Sequence, residues 1–159
     1  LDARVINALI AAIVNTLEVL IGEKPTVGKP GVLKEIKPKF DLITLIGFVG
    51  GVEGNLIYSF NPDTALKIVS KMMNMPYENL DELAMSAIGE LGNMIAGALA
   101  MNLEKIGCKI VISPPTVVTG RELKISVEGL TLQLPVSVAS DDDVETILSV
   151  KGSVKCGKT

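Results

Sequence analysis

Residues 81–106 read DELAMSAIGELGNMIAGALAMNLEKI, and the order of side chains in this stretch decides the fold. Leu83, Ala87, Leu91, Met94, Ile95, Ala98, Met101 and Ile106 recur at helical spacing, which predicts a long helix with that side on a core. Ser86, Glu90, Asn93 and Gly97 follow one another at offsets of four, three and four. At about 100° per residue they form one narrow stripe on another side of the helix. Gly89, Gly92, Ala96 and Ala100 run beside it as a track of small residues. An interior helix glycine costs about 1 kcal/mol against alanine. Gly89, Gly92 and Gly97 therefore predict a close approach to the helix backbone, by a partner or by a second helix of the same domain. A carboxylate and a carboxamide one turn apart, on a helix cleared of bulk, predict a docking and positioning surface.

Outward from this helix, the N-terminal side opens with LDARVINALIAAIVNTLEVLIG. Asp2, Arg4, Asn7, Asn15 and Glu18 interrupt the ~18–20 apolar residues that a membrane span needs. Ile6, Leu9, Ile10, Ile13, Leu17, Leu20 and Ile21 give one helical face, so a core helix is predicted from about Asp2 to Leu20, stopped by Gly22. Residues 23–38, rich in Lys, Pro and Gly, predict an irregular or edge strand. A hairpin follows, with strands over Asp41–Val49 and Glu53–Phe60 around Gly50–Gly51. Asn61-Pro62-Asp63 combines a cap, a first-turn proline and an early acid, which starts a helix over Pro62–Met73.

The C-terminal side changes to strand character. Lys109–Ile112 and Thr116–Val118 are short, separated by Pro114-Pro115. Leu123, Ile125 and Val127 alternate with polar residues, and so do Leu130, Leu132, Leu134, Val136 and Val138. Period two predicts half-buried antiparallel strands, with Pro135 at an edge or bulge. Asp141-Asp142-Asp143 reads as an exposed acidic loop before a last strand near Thr146–Lys151. The sequence predicts one domain over residues 1–151 and a polar tail over 152–159.

Composition narrows the function. The chain of 159 residues has no histidine, so His-based triads, His acid–base chemistry and His metal sites are excluded. A net charge of −3 and five aromatic residues (Tyr 2, Phe 3, Trp 0) leave neither a basic face nor a stacking platform for nucleic acid. Cys108 and Cys156 form no CxxC and lie far apart, the pattern of free thiols in a reducing cytoplasm. The methionines read as core filling.

Two echoes point to an internal repeat. Asn7 with Leu17-Glu18 matches Asn93 with Leu103-Glu104 at an offset of 86, and Val52-Glu53-Gly54 matches Val127-Glu128-Gly129 at an offset of 75. In the first match Arg4 stands where the later helix has Glu90. That leaves one acid-bearing site, not two.

The run Ser86-x-x-x-Glu90-x-x-Asn93-x-x-x-Gly97 resembles the signature of the CheC/CheX/FliY chemotaxis phosphatases, which dephosphorylate the response regulator CheY. DARVINALI, GGVEGNLIYSF with TALKIVSKMM, LDELAMSAIGELGN and PPTVVTGRELKI are similar to the CheX branch and cover most of the chain in collinear order. Two-site members carry the motif on both pseudo-symmetric helices, so its presence on the later helix alone favours a CheX-like protein. The resemblance implies an α/β (α+β) fold, with long helices on one face of an antiparallel sheet and a pseudo-two-fold internal repeat. It also implies a homodimer joined through its sheets, and the cysteine pattern, charge and interrupted first helix add the expectation of a cytoplasmic protein without nucleic-acid or membrane partners.

The same resemblance implies the site. Asn93 would hold the water that attacks an aspartyl phosphate, and Glu90 would pair with the active-site lysine of a phosphorylated CheY-type response regulator. Ser86 would join Glu90 in docking that regulator, and from their size alone Gly89, Gly92 and Gly97 are expected to give its loops room. The chain would bind no cofactor or metal of its own, because Mg2+ belongs to the regulator's acidic pocket. The alternative is a non-catalytic interaction or dimerisation module related to flagellar switch proteins.

Overall fold

A computed structural model describes residues 2–157. The elements in chain order are α1 (Ala3–Ile21), β1 (Thr26–Val27), β2 (Gly31–Leu33), β3 (Leu42–Gly50), β4 (Glu53–Phe60) and α2 (Pro62–Met73). They continue with α3 (Glu82–Glu104), β5 (Ile110–Ile112), β6 (Thr116–Thr119), β7 (Leu130–Ser137) and β8 (Val144–Lys151). Local chemistry sets the helix ends. The Asp2 carboxylate accepts from Arg4 N at 2.8 Å, and Gly22 closes α1 in the left-handed region at φ 84°. Asn61 caps α2 ahead of Pro62, and Asp81 caps α3 by accepting from Ala84 N at 2.8 Å.

The strands form one antiparallel sheet in the order β1-β7-β8-β4-β3-β5, with β2 also on β7 and β6 also on β3. Each half of the chain gives a helix, two short strands and a long hairpin. The short strands of each half pair with the first hairpin strand of the other half, and β4 meets β8 at the centre. These pairings are exchanged by a two-fold operation, with α2 the one helix that has no counterpart. The offset of 86 between the helices agrees with this arrangement. The offset of 75 does not, because Glu53 opens β4 whereas Glu128 precedes β7, the counterpart of β3.

Alternation across the pleat divides the core. Leu42, Ile46, Phe48, Leu56, Tyr58, Phe60, Leu148 and Val150 face the helices and join Leu9, Ile13, Leu17, Ile88, Leu91, Ile95, Leu99 and Leu103. Fully burying one such side chain contributes about 1.5–3 kcal/mol. On the opposite face Ile43, Ile57 and Ile147 pack with Ile36, Leu123, Ile125 and Val127. The alternation of 123–127 predicts a strand, yet only Ile125 bridges, to Ile36. Its apolar side chains cover the second face of the sheet as an irregular strap. Pro135 accepts from Gly28 N at 2.7 Å through its carbonyl, so its ring nitrogen faces the same edge, between β1 and β2. No ladder bond is lost there.

Two expectations are corrected. Asp143 is not part of an exposed loop but buried, accepting from Val138 N, Ala139 N, Ser140 N and the Thr64 hydroxyl at 2.7–2.9 Å. Burial alone would push its carboxyl up, but these four donors outweigh it and hold the pKa below the usual carboxylate value. Cys108 and Cys156 are not free thiols but a disulfide. The tail therefore does not hang loose. Lys155 N bonds Gly51 O at 2.6 Å, Gly157 N bonds Gly107 O at 3.0 Å, and Val154 and Cys156 pack on the core. Sequence spacing could not show this, because the tail returns across 48 residues to reach Cys108. Lys158 and Thr159 of the predicted tail lie outside the described residues.

Candidate functional site

α3 lies between the sheet and solvent. Its buried face is Ala84, Ala87, Ile88, Gly89, Leu91, Gly92, Ile95, Ala96, Leu99 and Leu103. This corrects the predicted apolar face. Leu83, Met94, Met101 and Ile106 are exposed, at 52%, 38%, 64% and 36%, although hydrophobicity placed them inside. Gly89, Gly92 and Ala96 lie on the buried side together with Ile88, Leu91, Ile95, Leu99 and Leu103, and the four exposed apolar residues stand off it. α1 and α3 both have the length and composition to cross a bilayer, and both bury one face in this core.

The two buried glycines explain how α3 sits so low. A Cβ at Gly89 would meet Val117 Cγ2 at 3.0 Å and Pro115 Cγ at 3.7 Å. At Gly92 a Cβ would meet Thr44 Cγ2 at 2.9 Å and Tyr58 Cε2 at 3.1 Å. Thr44 and Tyr58 are directly paired across β3 and β4, so the helix rests on a cross-strand step. Gly89 and Gly92 thus belong to packing against the sheet, not to the exposed stripe where a partner would touch them. Around Gly97 nothing lies within 4 Å of an added Cβ, and that glycine does open outward.

What remains outside is Ser86 and Glu90, both exposed, Asn93, half-buried, and Gly97, flanked by Leu83, Met94 and Met101. Among the described residues, neither the Glu90 carboxylate nor the Asn93 carboxamide enters a hydrogen bond or ion pair with this chain. Their hydrogen-bonding capacity is unspent. The helix presents a convex face. The groove of about 500 Å³ between β3, β4 and β5, lined by Val49, Asn55, Val111 and Lys151, contains none of these residues. A convex face bearing one carboxylate, one amide and three apolar side chains suits a protein partner better than a small molecule. Leu83, Met94 and Met101 were missed as surface residues; the signal was the glycine track, which marks the packed side. Among the described residues no group of three or more Cys, His, Asp or Glu side chains is placed to hold a metal ion.

The counterpart at the start of α1 differs. Arg4, at the position of Glu90, forks onto Asp2 at 2.8 Å and donates from Nη1 to Gly157 O at 3.2 Å. Its guanidinium, together with its own backbone N–H, holds the Asp2 carboxyl below the ordinary range. Asn7, at the position of Asn93, is exposed with no acid beside it.

Comparison with known proteins places this architecture. The sequence profile of the chemotaxis phosphatase CheX family matches residues 42–138. The CheY-P phosphatase CheX of Thermotoga maritima is 54% identical over 152 residues, covering 95% of this chain and 98% of that protein. A CheC-like superfamily protein from Shewanella sp. PV-4 superposes with a TM-score of 0.85 at 27% identity, over 96% of this chain and 100% of the other. The CheX of a CheX–CheY–BeF3–Mg2+ complex from Borrelia burgdorferi does so with a TM-score of 0.76 at 28% identity, over 92% and 97%. The α+β architecture with one uncommitted Glu90/Asn93 pair, the profile match and the 54% relative together show that this chain belongs to the CheX family of chemotaxis phosphatases.

Proposed function

We propose that this protein hydrolyses the aspartyl phosphate of a CheY-type response regulator, using the turn of α3 that carries Glu90 and Asn93. The observation that carries the reading is the pair itself, two polar side chains without a partner among the described residues, on a helix packed closely against the sheet, in a chain 54% identical to a CheY-P phosphatase. An acyl phosphate already hydrolyses in water, so the catalyst has to place the nucleophile and leave the charge to existing groups. Asn93 supplies a carboxamide whose oxygen accepts from a water and whose NH2 donates, which orients the water without removing a proton. A neutral amide is no general base, and none is needed against so good a leaving group. Glu90, one turn earlier, pairs with the regulator's active-site lysine and fixes the register of Asn93 over the phosphorus. Mg2+ is held by the regulator's acidic residues and neutralises the phosphoryl oxygens there.

Ser86 and Gly97 bracket the pair, and Leu83, Met94 and Met101 add apolar area around it, the usual build of a contact patch. The site of action is the cytoplasm, where the regulator works. A second copy of the chain, joined through the sheet, is the other partner we assign. The function is tested by following acyl-phosphate loss from Mg2+-loaded phosphorylated CheY with and without the protein. Faster loss supports the proposal; an unchanged rate with binding intact makes α3 a docking surface only.

A further inference from the structure

The Tyr58 side chain is fully buried on β4, in a core otherwise filled by aliphatic residues and Phe. A phenol in such a place is costly unless its hydroxyl is bonded, and a phenylalanine would avoid the cost. Its one partner is the Gly92 carbonyl, which it reaches from Oη at 3.2 Å. That carbonyl is in the middle of α3, where the helix already provides it with the amide of Ala96. The bond from Tyr58 therefore fills a second lone pair and rescues no orphaned group. Its effect is positional. The Gly92 carbonyl belongs to the peptide unit that joins Gly92 to Asn93, so Tyr58 holds the backbone from which the Asn93 side chain springs. The absent Cβ at Gly92 lets the helix come down onto Tyr58 and its cross-strand neighbour Thr44. Burial pushes the Tyr58 phenol far above its usual range, so the hydroxyl remains a donor at every working pH.

We infer that Tyr58 is a positioning residue for the phosphatase reaction, pinning the Gly92–Asn93 peptide to the sheet so that the Asn93 carboxamide stands at a fixed height. The inference rests on the function proposed above. Tyr58→Phe keeps the ring and removes the pin. It is expected to lower kcat for phosphorylated CheY about tenfold, with KM changed less than about twofold, because a misplaced group costs rate more than docking. Ile147→Val, on the opposite face of the sheet, serves as the control for lost stability and should leave kcat unchanged. An unaltered kcat in Tyr58→Phe, or an equal fall in Ile147→Val, overturns the inference. Hydrogen exchange reads the pin without any activity. The amides of Asn93 and Ala96 should exchange at least about fivefold faster in Tyr58→Phe, with Leu103 in the same helix little changed. Uniform or absent acceleration overturns the pin. A wild-type protein that fails to hasten acyl-phosphate loss overturns the proposed function instead.

Discussion

The first turns of α1 and the middle turns of α3 are related by the internal two-fold, yet one is closed and the other open. In α1 the cation at the position of Glu90 is consumed locally, by Asp2 and by the Gly157 carbonyl of a tail that the Cys108–Cys156 bridge holds in place. In α3 the corresponding carboxylate has no partner among the described residues, and the helix beneath it packs closely on the sheet at Gly89, Gly92 and Tyr58. The comparison teaches that the internal two-fold supplies the scaffold twice. The proposed site adds polar side chains without a partner among the described residues, on a helix packed closely on the sheet.

Putting the α1 residue into α3 is the strongest way to break the contrast. Glu90→Arg sets a cation against the regulator's lysine and should lower kcat/KM for phosphorylated CheY about 100-fold or more, measured by acyl-phosphate loss. Retained activity would remove Glu90 from docking. Opening the closed end is the next largest effect. Cys156→Ser frees the tail from the segment that follows α3 and should cost roughly 2–4 kcal/mol in denaturant unfolding under oxidising conditions, and nothing once wild type is reduced. The two kinds of glycine then separate. Gly92→Ala should destabilise by about 1–2 kcal/mol, because overpacking against Thr44 and Tyr58 outweighs the gain in helix propensity. Gly97→Ala meets nothing and should stabilise by up to about 1 kcal/mol, while weakening regulator binding if that glycine admits the partner.

The smallest effect concerns α2, the element without a symmetry mate, which Asp143 ties to the β7–β8 turn through Thr64. The folded pKa of Asp143 lies below its unfolded value of 3.8. Its stabilisation is therefore complete above that value and is lost as pH falls through the folded pKa. Asp143→Asn should cost about 1 kcal/mol at neutral pH, where one amide oxygen cannot serve four donors, and the gap to wild type should narrow below pH 4. A gap that stays constant down to pH 2 would contradict this.

Most of the framework was legible because its signals are local. Asp2 and Gly22 bound α1 and Asn61-Pro62 starts α2, each through contacts within a few residues, and the glycine pair marks the β3–β4 hairpin, whose turn falls at Gly51-Val52 because Gly50 ends β3. The stripe of Ser86, Glu90, Asn93 and Gly97 was legible for the same reason, since helical periodicity alone puts it on one side. Which side faces the core was not. Leu83, Met94 and Met101 are as hydrophobic as the buried residues, but Gly89 and Gly92 mark the packed side, and that depends on Val117 and Pro115 under Gly89 and on the step of Thr44 and Tyr58 under Gly92, all distant in sequence. The disulfide and the buried Asp143 were hidden for a similar reason. The disulfide joins residues 48 apart and Thr64 reaches Asp143 across 79, although the three amides at 138–140 that complete the Asp143 site are local.

The most direct test of the account follows acyl-phosphate loss from Mg2+-loaded phosphorylated CheY with wild type, Asn93→Ala and Asn7→Ala side by side. The account predicts that wild type and Asn7→Ala accelerate the loss equally, whereas Asn93→Ala loses about 100-fold or more with its fold intact. Equal losses in both variants, or none in Asn93→Ala, would contradict a single water-positioning site on α3.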